Sequence, residues 1–374
     1  MKPYLQGTIE KNPIRDDPTN PGATDVTGTH PAILSTVPFW LPAQQFTPKV
    51  GMKYSDRSDE IRSTLDPLPG YAEAFDPSWD YKMRAYPNLM GFFMGLWAGD
   101  WITAAGNGII LDPDGIAVPA GATRHIFQFK MGTPNILSST SQLVPRTAQF
   151  VSADDPTNGP YDQYNGCAVE SMTLQGTRAA LDMQVKGKML YYNRITDPGL
   201  TPALPAIANL PWNTGQMTLT WLTSSAVTSA FQLDFEQKLN WFNDLSAPSL
   251  YPTAVELDKG YRSLKGTIDK RTITSVDWDA FYKSSTFAAK AVFNSRQMIG
   301  ATAATYKMWI DMPNCVYSKM DEGALEESPR RANKLDWVAT HGGTGTMFTA
   351  APESMSSDYA VRVCIVNSTT SYYT

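Results

Sequence analysis

At 374 residues, 42% hydrophobic and 18% charged, the chain is long enough for two cores and is not composed like a disordered or highly solvated protein. A net charge of −5 from 31 basic and 36 acidic residues excludes the basic footprint of a tight nucleic-acid binder. Cys167, Cys315 and Cys364 are too few and too scattered for a disulfide framework or a zinc site, so buried reduced thiols are expected.

The N-terminal residues lack the apolar stretch of a signal peptide, and no apolar run reaches membrane-span length, so synthesis and folding in a cytoplasm are expected. Residues 1–45 hold Pro3, Pro13, Pro18, Pro21, Pro31, Pro38 and Pro42 with no sustained period; they read as an extended arm that orders only against something else. Residues 46–55 alternate as a strand. The polar run 55–71, with Asp59, Glu60, Arg62 and Asp66 and a closing Pro69-Gly70, is expected to project as a loop.

A strand over 74–83 follows, then the almost wholly apolar 88–97 (NLMGFFMGLW), which reads as a buried helix starting at Pro87. Residues 112–115 (DPDG) are a turn, 124–131 a strand, and 134–164 a long polar excursion. The organising element is 165–194. Two alternating strands flank Gln175-Gly176-Thr177-Arg178, where the glycine is expected to turn with positive φ. Residues 196–213, with four prolines, are the expected linker between a first domain at 46–195 and a second at 214–374.

The second half repeats the grammar loosely. Strands are expected at 216–223 and 229–242, and a loop at 244–262 containing Asp258 and Arg262. A helix over 276–291 follows, capped by Ser275 or Asp277. A strand at 306–312, a charged loop at 319–331 and closing strands at 335–340 and 359–366 complete it. The fold expected is therefore mainly β with short helices, a whole domain duplicated rather than a repeat array.

The usual marks of chemistry are missing from this pattern. His30, His125 and His341 have no His or Cys at ligand spacing. HGGTG at 341–345 has no GxSxG partner, and neither GxxxxGK[ST] nor GxGxxG occurs. The carboxylate pairs Asp59/Glu60, Asp154/Asp155 and Glu326/Glu327 lie in polar loops, where such pairs are normally solvated. No catalytic residue, cofactor or metal is expected. The sequon at Asn367 has no secretory context.

The order of a proline-rich arm, a polar RSDEIRST loop, an apolar segment ending LWAGD, VESMTLQGTRAALDMQVKGK, RSLKGTID, and YKMWIDMPNC with LDWVAT resembles the tail tube proteins of phages with long non-contractile tails. It is most similar to those with two tube domains in one chain. The resemblance implies a duplicated β-sandwich whose inner sheets join around a ring into a barrel. It also implies stacking of the rings into a virion tail tube, assembled in the host cytoplasm, through which DNA passes without specific binding. Implied partners are copies of the same chain, three to a ring with pseudo-sixfold symmetry rather than six, together with tail terminator and baseplate proteins; no membrane is involved.

Under that resemblance the loops holding Asp59, Glu60, Arg62, Asp66, Asp258 and Arg262 stack the rings. Glu170, Asp182 and Gln184 face the lumen, which is lined by Asp, Glu, Ser and Thr and repels DNA weakly. Two other readings remain open: a baseplate or distal-tail hub that forms single rings, and a two-sandwich carbohydrate-active enzyme, for which no paired acids in an aromatic cleft are found.

Overall fold

The computed structural model describes residues 4–9, 39–55, 71–129, 147–155, 159–176, 180–195, 210–212, 217–222, 224–225, 228–242, 254–270, 272–321, 333–340 and 359–372. In chain order come β1 (Tyr4–Ile9), β2 (Phe39–Trp40), β3 (Gln45–Lys49), β4 (Met52–Ser55), β5 (Tyr71–Phe75), β6 (Ser78–Arg84) and α1 (Met90–Ala98). After α1 follow β7 (Gly99–Ala105), β8 (Thr123–Phe129), β9 (Thr147–Ala153), β10 (Tyr161–Gly176), β11 (Leu181–Lys188) and β12 (Tyr191–Ile195). The second half has β13 (Met217–Trp221), β14 (Ser224–Ser225), β15 (Thr228–Phe242), β16 (Ala254–Lys270) and α2 (Ser275–Tyr282), then β17 (Phe287–Met298), β18 (Thr305–Asp321), β19 (Asn333–Ala339) and β20 (Val361–Asn367). The mainly-β expectation with short helices holds.

All the pairings between these strands are antiparallel, and one continuous run of eight neighbours is β3-β6-β11-β10-β15-β16-β19-β18. Its two halves are connected alike. In each, the strand before the helix (β6, β16) pairs on one side with an earlier strand (β3, with β4 and β5 between, and β15), and on the other with the second strand of a later hairpin (β11, β19). The first strand of that hairpin (β10, β18) comes last. Pairing of β10 with β15 joins the halves. Among the described residues the pairings never return to their start, so the sheet is open within the chain and does not close into a barrel.

Strands β10 and β18 are long because each serves two layers. The first part of β10 pairs with β9 and β12, and its second part with β11 and β15; an extra residue, Glu170, sits at the register shift between Val169 and Ser171. The start of β18 pairs with β17 and β20, its end with β19, with a shift between Tyr317 and Lys319. The second layer is thus β2-β1-β9-β10 in one half and β7-β8-β20-β18-β17-β13 in the other. The hairpin β7–β8 follows α1 yet completes the layer built on β20, with Ile126 opposite Cys364.

Helix α1 lies between the layers. All nine of its residues are buried, as an all-apolar helix requires, and Phe93 stacks on Tyr81 at 5.0 Å while Phe92 meets Phe150 at 6.3 Å. Chain beyond β20 closes over it: a Cβ at Gly91 would stand 2.1 Å from the Tyr372 ring, and Asn88 bonds Ser368 and Thr369. His125 anchors this tail, with Nε2 2.8 Å from the Thr369 carbonyl and Nδ1 3.0 Å from Thr103 Oγ1.

Several boundaries differ from expectation. α1 starts three residues after Pro87, which lies in a preceding turn. Thr274, not Ser275 or Asp277, is the N-cap of α2; Asp277 completes a capping box, and the helix ends at Tyr282, with 287–298 a strand. Gly176 is the last rung of β10, opposite Leu181 and Phe231, and lies outside the positive-φ region. The excursion at 134–164 contains β9, and residues 254–262 are strand rather than loop. Of the linker only 210–212 is described, where Trp212 is buried and its backbone bonds Ala85 and Leu181. Cys167, Cys315 and Cys364 are free and buried. His30, His341, HGGTG and Glu326/Glu327 lie outside the described residues.

Cross-strand glycine–tryptophan contacts fix the packing at two rungs: Gly187 faces Trp79, and Gly266 faces Trp337. A Cβ at Gly187 would stand 1.9 Å from the Ala168 carbonyl oxygen and 2.8 Å from the Trp79 ring. Gly187→Ala is therefore expected to cost about 2 kcal/mol by overpacking, read from the denaturation midpoint. Burial draws the His125 imidazole down to about 4, against the upward pull of its bonds to Thr369 and Asn367. The folded ring stays neutral where the unfolded one, near 6.5, takes a proton. Its stabilisation is complete above about pH 6.5 and falls by about 3 kcal/mol as pH drops toward 4. His125→Gln should flatten that slope in denaturation measured across this range.

Candidate assembly surface

One face of the eight-strand run is core and the other is polar, because each strand alternates. Core-side rungs run Met83, Met183, Leu174, Leu233, then Gly266 and Trp337, all buried. Opposite them the polar residues line up as rows across the strands. One row is Arg84, Asp182, Gln175, Gln232, Thr267, Asp336 and Lys319. The next is Gln45, Lys82, Gln184, Thr173, Asp234 and Lys265.

Neighbours in these rows hold one another. Thr173 Oγ1 donates to Asp234 at 2.7 Å, and Gln232 Nε2 donates to the other oxygen of Asp234 at 2.7 Å. Thr267 Oγ1 donates to Asp336 at 2.7 Å, and Gln184 Nε2 spans both oxygens of Asp80 at 3.0 Å. Arg84 pairs with Asp182 at 3.0 Å and Lys265 with Glu236 at 3.3 Å. This face is charge-balanced rather than acidic, since Lys82, Arg84, Lys186 and Lys265 alternate with the carboxylates. Its partly exposed ion pairs contribute little to stability singly. Their effect is to set Arg84 and Lys265 each against a carboxylate on the same face.

Of the residues expected to face a lumen, Asp182 and Gln184 are half-buried members of this face, and Glu170 is the half-buried extra residue of the β10 bulge. The structure brings the first two together on adjacent rows.

The residues expected in projecting loops fare differently. Asp59, Glu60, Arg62 and Asp66 lie outside the described residues, and for Asp258 the backbone alone is described, in β16. Arg262 is in β16 rather than in a loop, and it points inward. Its guanidinium donates to the Trp97 carbonyl at 3.0 Å and to Gln237 Oε1 at 3.2 Å, and lies over the Trp97 ring at 4.9 Å. Burial lowers its pKa to about 10, so it stays charged at neutral pH.

The loop bases are described, and they match between halves. β4 pairs with β5 as a separate two-stranded ribbon beyond the β3–β6 ladder. The far ends of β15 and β16, with Leu239 opposite Leu257 and Phe242 opposite Ala254, form the same extension beyond the second ladder. The sequence reading did not identify which strands form the outer margins of the run; they are β3 and the end of β18. Among the described residues neither pairs on its far side. A clue lay in Lys319 and Asp321, charged residues of the kind that guard strand margins, which pair at 2.6 Å on exposed side chains.

Among the described residues no group of three or more His, Cys, Asp or Glu is placed to hold a metal, and no helix is long and apolar enough to cross a membrane. The buried polar clusters tie strands and helices together: Tyr317 donates to Asp277 at 2.9 Å, and Lys270 pairs with Asp277 at 2.6 Å. Burial pushes the Asp277 carboxyl up, but the bonds from Lys270, Thr274 and Tyr317 outweigh it and hold the group below the usual carboxylate range.

The family model described as phage tail tube protein matches residues 22–325 of the chain. No match was found among curated proteins.

Arg262→Ala removes the donor to the Trp97 carbonyl at the end of α1. It is expected to destabilise the chain by about 2 kcal/mol in chemical denaturation of the dissociated protein, a loss that ring stacking does not explain.

Proposed function

The chain belongs to the phage tail tube family, and from that premise we propose that it assembles into rings, three chains to each, that stack into the tube through which DNA leaves the particle. Family membership carries with it a structural role in the virion tail and self-assembly into a tube. The observation that carries the finer reading is the eight-strand run: one face is core, the other a polar surface of mutually bonded side chains, and the two halves are connected alike.

Placed around a channel, the polar face is the lumen wall, with Asp182 and Gln184 on it. DNA is a dense polyanion and is held wherever free Lys or Arg side chains meet its phosphates. Here Arg84 and Lys265 are engaged with Asp182 and Glu236. With basic and acidic side chains alternating across it, the wall in this reading carries no continuous basic stripe to grip DNA and no uniform acidic field to repel it. The paired extensions at β4–β5 and at the ends of β15 and β16 project from matching places in the two halves. In this reading their tips, including Asp59, Glu60, Arg62 and Asp66, meet the adjacent ring. Two units per chain, at 46–195 and 214–374, make a ring of three chains pseudo-sixfold, and its ends meet terminator and baseplate proteins.

Negative-stain microscopy of the purified protein tests this. Long tubes with a central channel are expected. Particles that stay single chains at high concentration overturn the reading, and rings that never stack favour a tail hub instead.

A further inference from the structure

Within the inner run the pairings of the two halves correspond strand for strand, and the registers define an offset between them. Met83 lies seven positions before the first residue of α1, and Ile268 seven before the first of α2. With those residues matched, Ser78 falls on Ser263 and Lys49 on Glu236. Both ladders then pass into their projecting ribbons just beyond that rung. The same matching carries Thr173 of β10 onto Lys319 of β18, and Asp234 of β15 onto Thr47 of β3.

β10 and β15 form a joint inside the chain: Thr173 faces Asp234, Leu174 faces Leu233 and Gln175 faces Gln232. Their counterparts, β18 and β3, are the two outer margins of the run, and neither has a partner on that side among the described residues. Resting on the ring reading above, we propose that the end of β18 in one copy pairs antiparallel with β3 of the next copy in the register of the internal joint. Lys319 then faces Thr47, Met320 faces Phe46 and Asp321 faces Gln45.

The side chains fit that register. Met320 and Phe46 are both half-buried and pack on the edge of the main core, so placing them opposite one another continues the apolar rung that Leu174 and Leu233 make internally. Lys319 and Asp321, exposed and paired with each other, fall on the polar face with Thr47 and Gln45, as the pleat demands. Lys319 and Asp321 on one margin, and Pro48 and Lys49 on the other, discourage any looser pairing.

Directly opposed antiparallel residues have Cα atoms about 4.5–5.5 Å apart, inside the span of a disulfide, whereas diagonal ones at about 7–8 Å are beyond it. Thr47→Cys/Lys319→Cys and, as a second in-register pair, Gln45→Cys/Asp321→Cys are expected to give covalent oligomers under mild oxidation. Their yield should be about tenfold above the out-of-register Gln45→Cys/Lys319→Cys control. The native cysteines are buried and stay silent. Tubes or rings in which both in-register pairs stay unbridged, or in which the control bridges instead, overturn this joint while leaving the tube reading intact. Failure of the protein to assemble at all overturns both.

Discussion

A strand at the margin of a sheet leaves its outward N–H and C=O groups in water, and an interior partner for them stabilises the fold only if register and side-chain face agree together. This chain satisfies that demand once within itself, where β10 meets β15, and the rest of the architecture depends on that joint. It turns two four-strand sheets into one surface, places Thr173 and Asp234 in hydrogen-bond contact across the seam, and sets the offset between the halves. Without it the polar rows have no common frame.

Continuity of this surface asks something of the strands that bound it. β10 and β18 each leave the inner run and enter the second layer, and a strand changes layers by inserting a residue and twisting. Glu170 is that residue in β10, and β18 has its shift beside Tyr317. Between the layers sits α1, whose aromatic residues meet Tyr81 on one side and Phe150 on the other. The second half fills the corresponding space with Trp221, Trp337, Phe287 and Tyr317 and a half-exposed α2 tied down by the Lys270–Asp277 pair.

What could be read from the residues follows from how strongly each element depends on local pattern. The 165–194 hairpin was legible because its second strand, Leu181 to Lys188, is buried on one face only and so alternates cleanly. α1 was legible because Leu89, Phe92, Phe93, Leu96 and Trp97 follow Pro87 at near-helical spacing, which a short apolar run alone does not provide. β9 was not: all its residues are buried, so TAQFVSA has no alternation to show. The strand at 254–262 was hidden by the irregularity opposite Gln237 and Leu239, and Arg262 looked like a loop cation because its acceptor, the Trp97 carbonyl, is 165 residues away. That Asp182 and Gln184 share the polar face was readable from parity alone, but the pairing of Asp182 with Arg84 and of Gln184 with Asp80 belongs to tertiary structure. The bulge at Glu170 changes parity in a way that no periodicity reveals.

The crossing of the β7–β8 hairpin into the layer built on β20 bears on biosynthesis. Residues 123–129 wait for residues 361–367, so the second half's outer layer is incomplete until nearly all of this sequence has left the ribosome. Contacts of such long sequence separation form slowly. The inner run, by contrast, completes its pairings by residue 339 and does not depend on that late contact.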